Sequence, residues 1–169
     1  MLPAILLLIV TATRAHAQWQ APKPGPELKR LEYFAGDWKS EATVEPGGKF
    51  TSTSAVRWMD GGFFLVVQSK FAMQFGAGTG NEVIGYDEKA KTYWYDSFNS
   101  LGQHQTATGV VHDDTWVWTS SGMSQPKSRF TEKIISPDSY RFDLEVSNGT
   151  GWSSIMKGTA FRMTDKVKR

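Results

Sequence analysis

From Trp38 onward the chain changes sides at every residue. Trp38, Ser40, Ala42 and Val44 alternate with Lys39, Glu41, Thr43 and Glu45, and Tyr140, Phe142, Leu144 and Val146 alternate with Arg141, Asp143 and Glu145. Successive side chains on a strand point to opposite faces, so these segments carry one apolar or small face and one charged face. The same reading places strands near residues 38–44, 50–59, from 63 onward, 82–86, 92–98, 104–111, 116–119, 128–135, 140–146 and 152–163. Turn signals separate them: Pro46-Gly47-Gly48, Asp60-Gly61-Gly62, the glycine-rich Gly76–Asn81, Asp87-Glu88-Lys89, Asn99–Gly102, His112-Asp113-Asp114, Ser136-Pro137-Asp138 and Ser147-Asn148-Gly149. About ten short strands with tight connections and no crossover helix pair antiparallel and in sequence. Closing them into a barrel removes the exposed edges; a two-sheet sandwich is the alternative.

One helix is expected, over Pro26–Gly36. Pro26 suits a first helical turn, Glu27 complements its positive end, and Leu28, Leu31 and Phe34 or Ala35 share a face, with Gly36 as the C-terminal cap. Residues 18–25, with Pro22, Pro24 and Gly25, read as an extended linker. Ahead of it, residues 4–10 are apolar and lead to Ala15-His16-Ala17, the pattern of a secretory signal peptide cleaved near Ala17-Gln18. That run is shorter than the about 20 apolar residues a membrane span needs. The charge arrangement is atypical, because Arg14 follows the apolar run and no Lys or Arg precedes it. The expected organisation is therefore a signal peptide at 1–17, a linker at 18–25 and one barrel domain at 26–169, exported to the periplasm or secreted.

Charge and composition exclude several functions. Cleavage after Ala17 leaves 18 basic and 17 acidic residues, a net charge of +1, too close to neutral for a nucleic-acid footprint. The chain has no cysteine, so disulfides, thiolate metal sites and a cysteine nucleophile are excluded. With 40% hydrophobic and 13% aromatic residues it can rely on its core instead.

Where helix meets first strand, Leu31-Glu32-Tyr33-Phe34-Ala35-Gly36-Asp37-Trp38 contains Phe-x-Gly-x-Trp. This resembles the opening of the lipocalin and fatty-acid-binding (calycin) superfamily. The resemblance implies a barrel plugged at one end by Trp38, with a late-strand arginine, here Arg162, lying over it. Leu31-x-x-Phe34-x-Gly36-x-Trp38, Ile84-Gly85-Tyr86-Asp87, Trp152 and Phe161-Arg162 together resemble more closely a family of small exported bacterial proteins of unassigned function. The fold expectation is thus all-β: an antiparallel meander closed into a lipocalin-like barrel, with one short N-terminal helix. Heme-binding barrels of similar shape need an axial histidine on a late strand, and no histidine follows His112; no cofactor is expected.

Four residues are candidates for contact with a ligand in the lumen. Glu132 lies between Phe130 and Ile134 on an apolar face, where a lone charge is costly and Arg162 or Lys157 could pair with it. His104 shares its face with Thr106, Thr108 and Val110 and would be a lumen polar group or general base if that face points inward. Tyr95 belongs to Tyr93-Trp94-Tyr95-Asp96-Ser97-Phe98, one face of which must line the interior. Arg162 completes the set. His112-Asp113-Asp114 reads as a solvated turn rather than a metal site, and Asn148-Gly149-Thr150 as a hairpin turn rather than a glycosylation acceptor. The expected function is an exported module binding a small apolar or amphipathic molecule. The alternatives are a lumen enzyme (isomerase, cyclase or hydrolase) built on His104, Glu132 and a tyrosine, and an envelope structural or interaction protein with a packed core.

Overall fold

The computed structural model describes residues 22–74, 76–122 and 125–164. The expected signal segment at 1–17 and the basic end at Lys166–Arg169 lie outside the described residues. A 3₁₀ helix, Pro26–Phe34, leads into ten strands: β1 Gly36–Val44, β2 Gly48–Trp58, β3 Leu65–Met73, β4 Gly76–Asp87, β5 Thr92–Asn99, β6 His104–His112, β7 Thr115–Gly122, β8 Gln125–Ser136, β9 Ser139–Ser147 and β10 Trp152–Arg162. Each strand pairs antiparallel with its neighbours in sequence, and β1 closes on β10 from Trp38 opposite Arg162 to Val44 opposite Met156. The result is a barrel, not a sandwich. Among the described residues no helix is long and apolar enough to cross a membrane.

The helix is of the tighter 3₁₀ form, and its composition accounts for this. Leu28, Leu31 and Phe34 are spaced by three, and three residues per turn puts them on one line. All three are buried against the barrel base. Each such burial stabilises by about 1.5–3 kcal/mol. Gly36 is not the helix cap. Ala35 is the extended cap residue, and Gly36 opens β1 at φ +135°, a conformation that a side chain strongly disfavours. A Cβ there would also collide with Arg162 Nη1.

The glycine-rich stretch is likewise not a turn. Gly76–Asn81 forms the first half of β4, hydrogen-bonded to β3 from Gly76 opposite Met73 to Asn81 opposite Gln68. The side chain of Phe71 lies across Gly78, where an added Cβ would meet Phe71 Cζ at 2.6 Å. The glycine makes room for that ring, so the composition that suggests a turn serves a close approach within the sheet.

The core sits at the helix end of the barrel. Trp38 is 2% exposed, and its indole Nε1 donates to Phe34 O at 2.8 Å. Around it pack Leu65, Ile84, Tyr93, Trp116 and Ala160, with Leu28, Leu31 and Phe34 from the helix. Tyr93 OH donates to Glu27 O at 2.9 Å, and Trp58 Nε1 donates to Glu32 Oε2 at 2.6 Å, tying the helix to two strand ends.

Candidate functional site

Above this base the lumen is not filled. A cavity of about 400 Å³ runs from Phe34 and Trp38 at the closed end to Phe98, Asn99 and Gln103 at the opposite rim. Period-two alternation places its lining: Ser52, Ser54 and Val56 from β2, Val67, Ser69 and Phe71 from β3, Glu82 and Ile84 from β4, Tyr95 and Ser97 from β5. The far wall carries Trp118, Phe130, Glu132, Tyr140, Phe142, Leu144 and Met156.

Glu132 points into this cavity, as its place between Phe130 and Ile134 requires. Neither basic side chain expected beside it is there. Lys157 is exposed on the outer face with Asp143 at 3.3 Å, and Arg162 is engaged at the barrel base. The partner is instead Trp118, whose Nε1 donates to Glu132 Oε2 at 2.9 Å. Burial pushes the Glu132 carboxyl up to about 7; the Trp118 hydrogen bond opposes this and the nearby charge of Glu82 adds to it. An indole donor is a weaker answer to a buried carboxylate than a cation would be.

Tyr95 also lines the cavity, 5.4 Å from the Trp118 ring centroid to centroid. Burial raises its hydroxyl well above the ordinary tyrosine range, and Glu82 and Glu132 add to the shift. Tyr140 behaves alike for the same reasons. Both remain neutral donors at any physiological pH.

His104 is not a lumen residue. Its strand turns Gln105, Ala107 and Gly109 inward, and His104 stands outside, exposed. There its Nε2 meets Asp96 Oδ1 at 2.6 Å and its ring stacks on Phe98 at 4.7 Å. Gly109 on that inner face leaves room for Trp118 of β7, which lies opposite it. The convergence of His104, Glu132 and a tyrosine on one cavity therefore does not form. Arg162 does lie inside, but beneath the cavity. Its guanidinium sits 4.3 Å over the Trp38 ring, Nη1 donates to Ala35 O and Nη2 to Tyr33 O, both at 2.6 Å. It locks the plug and does not line the space above it.

Sequence reasoning missed Glu82. It is an inward side chain of β4, held between Val67 of β3 and Ser97 of β5, and burial raises its carboxyl. Among the described residues it has no hydrogen bond and no ion pair. The signal was present: Gly80, Glu82, Ile84 and Tyr86 alternate. Reading Gly76–Asn81 as a turn made Glu82 the first residue of a strand and hid the pattern. Among the described residues no group of three or more His, Cys, Asp or Glu side chains could hold a metal ion, and His112, Asp113 and Asp114 are exposed in or beside a turn.

The fold is similar to that of a de novo designed fluorescence-activating β-barrel, at 16% identity and TM-score 0.47, covering 79% of this chain and 96% of that one. It is also similar to a redesigned barrel, mFAP1, bound to DFHBI, at 16% identity and TM-score 0.46, covering 78% of this chain and 97% of that one. No curated protein matches the sequence. One family model does match, over residues 23–162, which takes in the linker's end, the plug helix and all ten strands; its description is "Protein of unknown function (DUF1579)", and the chain belongs to that family.

Proposed function

We propose that the protein is an exported binding module that holds one small apolar or amphipathic molecule inside its barrel. The observation that carries this reading is the lumen, an approximately 400 Å³ space above a sealed base. Ligand sites are concavities of roughly 300–1,000 Å³, mostly apolar, with a few placed polar groups. This lining has that character: Val67, Ile84, Phe130, Phe142, Leu144 and Met156 for an apolar body, and Tyr95, Tyr140 and the two glutamates to orient it. A packed-core structural protein would have no reason to leave this volume unfilled, since interiors are otherwise close-packed.

The test is capture. Purified protein stripped of small molecules is incubated with a lipid and metabolite extract, re-isolated, and its cargo identified by mass spectrometry. A compound should be recovered with the natural chain and lost with Leu144→Trp, which places an indole in the cavity. Recovery of nothing above a blank overturns the reading. Export rests on the apolar run at 4–10 and Ala15-His16-Ala17. Protein recovered from native cell envelope should begin at Gln18; an uncleaved chain in the cytoplasm overturns that part.

A further inference from the structure

Resting on the binding reading above, we infer that the lumen selects a cationic ligand: an organic ammonium group on an apolar body, held between Glu82 and Glu132 among aromatic side chains. The inventory of charge in the cavity is one-sided. Among the described residues its lining includes two carboxylates and no Lys, Arg or His. Glu82 has no partner among the described residues, and Glu132 accepts only the indole hydrogen bond from Trp118, at Oε2. Three basic side chains of β8 and β10 are engaged elsewhere. Arg162 serves Tyr33 O, Ala35 O and the Asp138 carboxylate at 3.3 Å, Arg129 is paired with Glu145 at 2.7 Å, and Lys157 faces Asp143.

Two carboxylates line one cavity, Glu132 is 8% exposed, and the charge of Glu82 acts on it. The charge that relieves both is positive. It is not a metal, because among the described residues no third ligand stands with them and a divalent ion needs more oxygen ligands than two separate carboxylates supply. An organic cation needs fewer directional bonds, and the cavity offers what it does need. Tyr95, Trp118, Phe130, Tyr140 and Phe142 line the same space. Ammonium groups are drawn to aromatic faces, more strongly where water is excluded. An anion would meet two like charges, and a neutral molecule would leave them unanswered.

The experiment uses three probes of one chain length: octyltrimethylammonium, 1-octanol and octanoate, measured by calorimetry on the full chain at pH 8. The ammonium should bind at least about tenfold tighter than octanol, and octanoate more weakly than octanol. Between pH 8 and pH 5 the ammonium's affinity should fall about tenfold, because its own charge is fixed and only the protein titrates. The groups facing the two carboxylates are Tyr95 of β5 and Tyr140 of β9, both neutral throughout that range, so the loss reports Glu132 and Glu82 themselves. In E82Q/E132Q the preference for ammonium over octanol should shrink to within about twofold, with near-ultraviolet circular dichroism showing the variant folded. An ammonium that binds no tighter than octanol, or a preference that survives E82Q/E132Q, overturns the inference. If octanol or octanoate binds without that preference, only the cation is wrong. If none of the three binds, the lumen reading fails with it.

Discussion

Replacing Glu132 by glutamine isolates the cost of keeping a carboxylate in the lumen. Burial raises the carboxyl from its ordinary 4.5 to about 7 in the folded protein. The folded state therefore holds the proton more tightly than the unfolded chain does. Below about pH 4.5 both states carry it, and the group makes no difference. Between there and pH 7 the unfolded chain ionises freely while the folded one resists, so stability falls as pH rises. Above pH 7 the full penalty is present and constant. Each pKa unit is worth 1.36 kcal/mol, so a shift of this size amounts to about 3 kcal/mol. Glutamine has the same shape, can still accept from Trp118 Nε1, and never ionises. Glu132→Gln should match the natural chain near pH 4 and exceed it by up to about 3 kcal/mol at pH 8. Urea unfolding of both proteins across that range gives the difference, in which titrations common to both cancel. Glu82, raised in the same direction, leaves a residual slope of the same sign in the variant. A glutamine variant less stable at pH 8, or a difference flat with pH, would refute the reasoning.

Arg162→Ala should destabilise by about 3 kcal/mol or more, because it leaves the Tyr33 and Ala35 carbonyls unanswered and removes the cation above Trp38; denaturant midpoints measure it, and a loss below 1 kcal/mol would contradict the plug. Gly36→Ala should lose about 2 kcal/mol or more from its positive φ and the displaced guanidinium. Combined with Arg162→Ala it should lose less than the sum, since both disturb the same contact. His104→Ala should change stability by less than about 0.5 kcal/mol and leave capture of any lumen ligand unaltered, its ion pair with Asp96 being exposed; altered ligand binding in that variant would place His104 in the site after all.

Alternation carried the fold because a barrel of neighbouring strands needs little else: two faces, tight turns and closure. Trp38 and Arg162 were legible from Phe-x-Gly-x-Trp and the late arginine, and Glu132 from its apolar flanks. What alternation does not say is which face is inner when neither is bulky. On β6 the inner residues are Gln105, Ala107 and Gly109, the glycine leaving room for Trp118, while Thr106, Thr108 and Val110 face out. The face with larger side chains drew attention, and His104 with it. Glu82 was lost for a related reason. Glycine is a turn residue by its backbone freedom and a strand residue where a ring crosses it, and local composition does not separate the two roles. Phe71, which decides it at Gly78, lies on the neighbouring strand.

The two ends of the barrel treat polar groups in opposite ways. At the base, among the described residues, Trp38 Nε1 is answered by Phe34 O, Tyr33 OH by Ser136 O and Ser139 O, and the Arg162 guanidinium by Tyr33 O and Ala35 O. In the lumen, Glu82 and the hydroxyls of Tyr95 and Tyr140 have no partner among the described residues. No side-chain polar atom sealed inside the described protein lacks a partner, so these groups, unpaired in the cavity wall, are open to whatever enters it. About 3 kcal/mol at Glu132 is a large fraction of the 5–15 kcal/mol by which a domain of this kind is stable, and a glutamine would remove it. A carboxylate kept at that cost in the wall of a cavity is the group that the proposed cationic ligand would relieve.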